Sequence, residues 1–166
     1  MSMSRGKRIW IGLAAVALAA MSLGAVAAPA EDVTVDSYAA KAEPICRKNT
    51  NANKKIFKGV RKMVQRNQLG KAAKRFKRAG SSLAATIRQL RALPQPPGEE
   101  ARLAKWLKYL GIEKSLLFKI GKALGKGNKF QAQSLIVRLR RNSNFANNTV
   151  LAYEFNFCKI DPSRFT

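Results

Sequence analysis

Apolar residues recur at a helical period along almost the whole chain after residue 37, and this periodicity constrains the fold most. An advance of about 100° per residue places them on one side of each segment, with lysines and arginines opposite. No stretch of useful length alternates apolar and polar residues as a half-buried strand would. We therefore predict an all-α domain with helices at about 37–67, 71–93, 99–124 and 129–157. The segments "RNQLGK", "LPQPPGEE" and "GKGN" separate them.

Short connections between four helices favour an antiparallel up-down-up-down four-helix bundle. This topology places the start of the first helix and the end of the fourth at the same end of the bundle. The apolar stripe keeps its phase through "AGSS" (79–82), so we predict that the second helix continues past Gly80. Asp36 or Ser37 is the expected N-cap of the first helix. Asn128, with Gln131 three residues later, is the expected N-cap of the fourth.

The first thirty residues have the pattern of a secretory signal peptide. Arg5, Lys7 and Arg8 precede an alanine-rich apolar run that ends in two Ala-x-Ala sites. We expect cleavage near residue 27 or 30, which leaves residues 31–166 as an exported domain in the extracellular space or cell envelope. The alternative is a protein anchored in the membrane through an uncleaved signal segment, because the run approaches the length that spans a bilayer. No further transmembrane span is expected in the mature chain.

The chain contains two cysteines and no histidine. Cys46 lies near the start of the first predicted helix and Cys158 near the end of the fourth, and disulfides persist in exported proteins. We therefore predict a Cys46–Cys158 disulfide that closes the bundle. A catalytic cysteine or a zinc site needs partners, usually histidine, that this chain lacks. Cys46 also lies too far beyond the apolar run to carry a lipid anchor.

The missing histidine also removes a common general base and most haem ligation. The stretch "GKALGKGNK" resembles a phosphate-binding loop only superficially, because no lysine followed by serine or threonine completes the motif. We expect no catalytic residue, no metal and no cofactor, and so a protein that is not an enzyme.

Positive charge is the strongest remaining signal. The full chain has a formal net charge of +23 at pH 7, and basic proteins of this kind attract anionic polymers and membranes. The candidate residues for binding an anionic surface lie on the outer faces of the first two helices: Lys54, Lys58, Arg61, Lys62, Lys74, Lys77 and Arg78. Simple solubility is the other explanation of this charge.

The expected partners are anionic lipid headgroups, cell-wall polymers or other polyanions. Nucleic acid is expected to bind only without sequence preference, because no base-reading module is visible. Some apolar residues lie off the inner stripes and would suit contact with a membrane surface next to positive charge: Ile112, Val137, Phe145 and Phe155.

Glu113 lies near the middle of the apolar arc of the third predicted helix. Antiparallel pairing with the fourth helix would bring it close to a second polar set: Arg140, Asn142 and Ser143. Because isolated buried charge is costly, a carboxylate there must be paired, protonated or hydrated. Two interpretations stay open, a hydrogen-bonded cluster that fixes helix register and a polar pocket for a ligand. Asn49 and Asn53 either line a polar opening toward the disulfide-linked end or are solvated or capping residues, which are commoner.

Several segments resemble those of small exported all-helical proteins of high-GC Gram-positive bacteria: "YAAKAEPICRKNTNANKKI", "LRALPQPPGEEARLAKWLKYL", "IGKALGKGN" and "YEFNFC". The similarity extends from Tyr38 to Cys158. It implies an exported helical bundle with paired cysteines near its termini, and it implies no activity.

Two functional hypotheses follow. The first is a secreted or envelope-associated, non-enzymatic protein that adheres electrostatically to an anionic surface or polymer. The second is a small-ligand binding or carrier protein that uses a polar pocket inside the bundle.

Overall fold

The computed structural model describes residues 33–161. They belong to one compact unit of the chain, Glu31–Thr166, and the other unit, Met1–Ala30, contains none of them. The predicted signal peptide and its cleavage sites therefore lie outside the described residues. Within residues 33–161, no helix combines the length and hydropathy needed to cross a membrane.

Four long α-helices and one short one account for most of the described residues, and none of these residues forms a strand. The helices are α1 (Val35–Phe57), α2 (Val60–Gln65), α3 (Leu69–Arg91), α4 (Glu100–Gly125) and α5 (Lys129–Thr149). A 3-10 turn follows at Leu151–Tyr153. α3 packs against both α1 and α4, and α4 packs against α5. The all-α prediction is confirmed.

The first predicted helix is two helices, because the backbone turns at Gly59. Gly59 has a φ of 77°, in the left-handed region that favours glycine, and it separates α1 from α2. Ile56 and Val60 are both buried, so the apolar spacing continues across the break and hides it in the sequence. α1 also begins earlier than expected. Its N-cap is Thr34, whose hydroxyl accepts from the Ser37 N–H at 3.1 Å.

The fourth predicted helix is shorter than expected, because α5 ends at Thr149 instead of residue 157. We call residues 150–161 the C-terminal segment. Its side chains complete the core: Phe155 is buried and stacks on Trp106 and on Tyr153. The Asn147 amide accepts from the Ile160 N–H and donates to the Ile160 carbonyl, both at 2.8 Å. These contacts explain why the chain turns back instead of extending the helix.

The predicted disulfide between Cys46 and Cys158 is present, but neither cysteine lies where it was expected. Cys46 is midway along α1 instead of at its start, and Cys158 lies in the C-terminal segment beyond α5. The two residues are 112 apart in sequence. Closing a loop of that length stabilises the fold by about 4–5 kcal/mol in the chain-entropy model.

Glu43, nearly one turn before Cys46, holds the same segment without a covalent bond. Its carboxylate accepts hydrogen bonds from the backbone N–H groups of Asn156, Phe157 and Cys158, at 2.9 to 3.3 Å. Hydrogen bonds to a charged acceptor are stronger than neutral ones. The middle of α1 therefore fixes the C-terminal segment both covalently and electrostatically.

α3 and α4 approach each other closely at Gly121. A Cβ atom at this position would lie 3.0 Å from the carbonyl oxygen of Ala73 and 2.9 Å from Cγ of Lys77. Gly111, on the same helix, has no atom within 4 Å of such a Cβ. The close packing of the two helices therefore requires glycine at 121 but not at 111.

Candidate functional site

The seven cations predicted to bind anions are all exposed. They lie at the end of α1, on α2 and on the first half of α3: Lys54, Lys58, Arg61, Lys62, Lys74, Lys77 and Arg78. None of α2, α3 and α5 contains an acidic residue. Arg78 lines one surface groove, and Arg61 and Lys62 line another. The other four cations line neither groove: Lys54, Lys58, Lys74 and Lys77.

The first groove lies between α1 and α3 and has a volume of about 730 Å³. We call it the α1–α3 groove. Its walls carry four cations and three neutral polar side chains, beside Ala52 and Ile56: Lys48, Lys55, Arg75, Arg78, Asn51, Ser81 and Ser82. Of the described residues that line it, none is acidic. A bound anion would relieve the mutual repulsion of the four cations and accept hydrogen bonds from them.

Sequence reasoning found only Arg78 of these four cations. Lys48 and Lys55 face away from the apolar arc of α1, as do many other cations of that helix. Periodicity shows that they are exposed but cannot show which of them faces α3. Contact between two particular helix faces selects the groove residues, and that information is absent from either helix alone.

The second groove, of about 640 Å³, lies beside α2. We call it the α2 groove. Apolar side chains that are half-buried line it, including Phe57, Val64 and Ile136, together with three exposed cations: Arg61, Lys62 and Lys129. Phe130 follows Lys129 directly and is 87 % exposed, more than any other large hydrophobic residue described. Sequence reasoning missed Phe130, although its phase on α5 places it outside the apolar stripe.

Four side chains were expected to form an exposed apolar surface, and the structure exposes three of them and buries the fourth. Ile112, Val137 and Phe145 are exposed. Phe155 is buried in the core, because it belongs to the C-terminal segment and not to a helix. The expectation for Phe155 was therefore wrong.

Glu113 lies in a small, partly open cavity between α1, α3, α4 and the C-terminal segment. The side chain is 4 % exposed, and its Oε2 atom has no hydrogen-bond partner. Asn53 Oδ1 and Trp106 Nε1 also lack a hydrogen-bond partner, and both residues line the same cavity. Burial raises the pKa of Glu113 to about 8, because the charged carboxylate loses its hydration. Glu113 is therefore mostly neutral at pH 7.

The cavity has a volume of about 40 Å³. This is enough for about three water molecules, whereas small-molecule pockets usually occupy roughly 300–1,000 Å³. Asn49 and Asn53 both line the cavity, which is the less common of the two alternatives that the sequence left open. Asn49 also joins two helices, because its Oδ1 accepts from the Ser82 hydroxyl at 2.8 Å.

The residues expected next to Glu113 lie elsewhere. The Asn142 amide donates to the Tyr109 carbonyl at 2.9 Å, and the Ser143 hydroxyl donates to the Leu139 carbonyl at 3.0 Å. Both residues are buried, but Arg140 is exposed. None of the three lines the Glu113 cavity. The physical reason is that Glu113 faces α1 and α3, while pairing with α5 involves another side of α4.

No protein-family model, curated protein or solved structure matches this chain. Among residues 33–161, no three histidine, cysteine, aspartate or glutamate side chains come together as a possible metal site. The two grooves and the cavity are therefore the basis for a functional proposal.

Proposed function

We propose that this protein is exported and adheres, without catalysis, to an anionic surface or polymer through the cations of α1, α2 and α3. The α1–α3 groove carries the proposal, because Lys48, Lys55, Arg75 and Arg78 converge there and no described lining residue is acidic. Contacts between such cations and phosphates release counter-ions, so binding of this kind weakens steeply as salt rises.

We also propose that the four long helices run in antiparallel, up-down-up-down order, and that the chain is related to the exported helical proteins it resembles. Two contacts support the order. Tyr38, near the start of α1, packs edge-to-face on Tyr153, and the Tyr153 hydroxyl donates to Glu99, at the start of α4, at 2.9 Å. The disulfide supports export, since such bonds form and persist outside the cytosol.

The ligand-carrier hypothesis has a weaker basis. A cavity of about 40 Å³ next to Glu113 is far below the size of pockets that enclose metabolites. The unpartnered polar atoms around it are better matched by water, which can donate to Asn53 and accept from Trp106. We therefore favour adhesion through the surface over binding in the interior.

The test is retention on anionic vesicles, a teichoic-type polymer and DNA, each over a range of salt concentrations. A groove variant combines four substitutions: Lys48→Gln, Lys55→Gln, Arg75→Gln and Arg78→Gln. A matched control removes four exposed cations that line neither groove: Arg88→Gln, Arg91→Gln, Lys105→Gln and Lys108→Gln.

Both variants lose the same net charge, so a difference between them isolates the geometry of the groove. We expect the groove variant to lose most of its binding and to show a smaller salt dependence, while the control keeps most of both. Equal losses in the two variants would leave net charge as the only cause and remove the groove from the proposal. If the unmutated protein is not retained on any anionic material even at low salt, the proposed function is wrong.

A further inference from the structure

The α2 groove differs from the α1–α3 groove in its large apolar side chains, because several line the α2 groove beside its cations, whereas the α1–α3 groove has Ile56, which is buried. Phe57, Val64 and Ile136 are half-buried in it, and Arg61, Lys62 and Lys129 bring positive charge to the same place. Exposed Phe130 lies next to Lys129 at the start of α5. An anionic polymer in water satisfies the cations alone. A lipid bilayer binds both the cations and the apolar surface, because its anionic headgroups attract the cations and aromatic side chains insert at its acyl boundary.

Phe57 lines both this groove and the Glu113 cavity, but Glu113 is buried and its raised pKa keeps it mostly neutral; the other described acidic residues lie far from the groove. Glu43 and Glu99 both bond to the C-terminal segment, and Glu154 belongs to that segment. This segment follows the end of α5, whereas Lys129 and Phe130 lie at its start. At 1.5 Å per residue, the length of α5 separates the two regions by roughly 30 Å. That is several Debye lengths at physiological salt, so the acidic residues do not screen the groove.

We infer that α2 and the first turn of α5 form a docking surface for an anionic lipid bilayer, with Phe130 inserted at the headgroup–acyl boundary. Arg61, Lys62 and Lys129 bind the lipid phosphates. The inference rests on the proposed function: it names the bilayer as the partner, and it adds a second face, α2 with the start of α5, to the α1–α3 groove. The cations of this face orient the protein toward a negative surface, because none of the described residues that line the α2 groove is acidic.

The experiment compares vesicles of phosphatidylglycerol, vesicles of phosphatidylcholine and soluble polyphosphate. It uses protein produced from the full-length chain, with the first residue determined by mass spectrometry. Two variants probe the face, Phe130→Ser and the pair Arg61→Gln with Lys62→Gln. Their matched controls are Leu151→Ser, an exposed apolar residue of the C-terminal segment, and the pair Arg88→Gln with Arg91→Gln.

We expect tight binding to phosphatidylglycerol vesicles and weak binding to phosphatidylcholine. Phe130→Ser should weaken vesicle binding by about tenfold or more, because an inserted aromatic ring is removed from water. It should leave polyphosphate binding unchanged. Loss of Arg61 and Lys62 should weaken vesicle binding by roughly thirtyfold, at about 1 kcal/mol for each cation near the surface. The two controls should bind vesicles as the unmutated protein does.

A direct readout of insertion is the fluorescence of a Phe130→Trp variant, after subtraction of the signal of the unmutated chain. We expect brominated phosphatidylglycerol to quench the added tryptophan. Because Phe130 is 87 % exposed, neither substitution disturbs the core, and circular dichroism verifies the fold.

The outcomes separate the inference from the proposed function. If Phe130→Ser binds vesicles as tightly as the unmutated protein, and the tryptophan is not quenched, the bilayer inference is wrong and adhesion by charge alone stands. Binding to polyphosphate with none to vesicles overturns the inference and points to a polymer partner. Binding to neither overturns both proposals.

Discussion

Replacing Glu113 with glutamine should stabilise the folded protein at pH 8 and above, and should change its stability little near pH 5. Glu113 is almost fully buried, and one of its carboxylate oxygens has no hydrogen-bond partner. Burial raises its pKa from the ordinary value of 4.5 to about 8. Glutamine has nearly the shape of the protonated side chain, and it has no proton to lose.

The direction in which stability changes with pH depends on how many protons the folded and the unfolded states bind. Between pH 4.5 and pH 8 the folded protein keeps the Glu113 proton, whereas the unfolded chain releases it. The folded state therefore binds more protons, and its stability falls as pH rises through this window. At 1.36 kcal/mol for each pKa unit, the whole shift corresponds to a loss of roughly 5 kcal/mol. Few other side chains titrate there, because the chain has no histidine and both cysteines are joined.

The measurement is denaturant unfolding followed by circular dichroism, at a series of pH values from about 5 to 9. The difference in unfolding free energy between Glu113→Gln and the unmutated protein should grow from near zero to several kcal/mol across the series. Glu100→Gln is the control, because Glu100 is exposed on the same helix. If the Glu113→Gln difference stays constant over the whole range, Glu113 has an ordinary pKa and our reasoning about its burial is wrong.

Three further predictions concern the fold. Replacing Cys46 and Cys158 together with serine should lower the unfolding free energy by about 4–5 kcal/mol, as denaturant titration of both forms would show; equal midpoints would contradict this. Glu43→Gln should cost about 1–3 kcal/mol and speed amide hydrogen exchange at the backbone groups it binds, and unchanged exchange there would count against the anchoring role of this carboxylate. Gly121→Ala should destabilise by about 1–3 kcal/mol through overpacking, while Gly111→Ala, with open space around it, should stabilise by about 0.5–1 kcal/mol. Thermal melts of the two glycine variants test this, and similar shifts in their melting temperatures would contradict the close approach at Gly121.

Helix positions could be predicted where apolar spacing and local capping agree. The second and third predicted helices, 71–93 and 99–124, correspond to α3 (Leu69–Arg91) and α4 (Glu100–Gly125). α3 continues through Gly80 as expected. Asn128 was predicted to cap the last helix, and its side chain accepts from the Gln131 N–H at 2.8 Å. These features depend on residues close together in the sequence, which is why a single sequence reveals them.

The errors occur where distant residues decide the structure. Val150, Tyr153 and Phe157 keep a helical spacing, so the sequence favours continuing the last helix through them. The hydrogen bonds that hold this segment outside a helix come from the side chains of Glu43 and Asn147. The periodicity of apolar residues cannot predict such hydrogen bonds. Apolar spacing was also a poor guide at Gly59, since the stripe keeps its phase across the turn.

The candidate sites show the same limit. That Glu113 is buried could be predicted from its phase, but α4 contacts both α3 and α5, and the phase alone did not distinguish the two neighbours. The α1–α3 groove likewise combines Lys48 with Arg75, two cations whose proximity depends on how the helices meet.

The C-terminal segment completes the core, and this has a consequence for how the protein is made. Tyr153, Phe155 and Cys158 are synthesised after all five α-helices, yet all three are buried in the finished molecule. While the ribosome still holds them, the nascent chain lacks part of its interior and Cys46 has no partner. Folding of this domain therefore finishes only after residue 158 has left the ribosome.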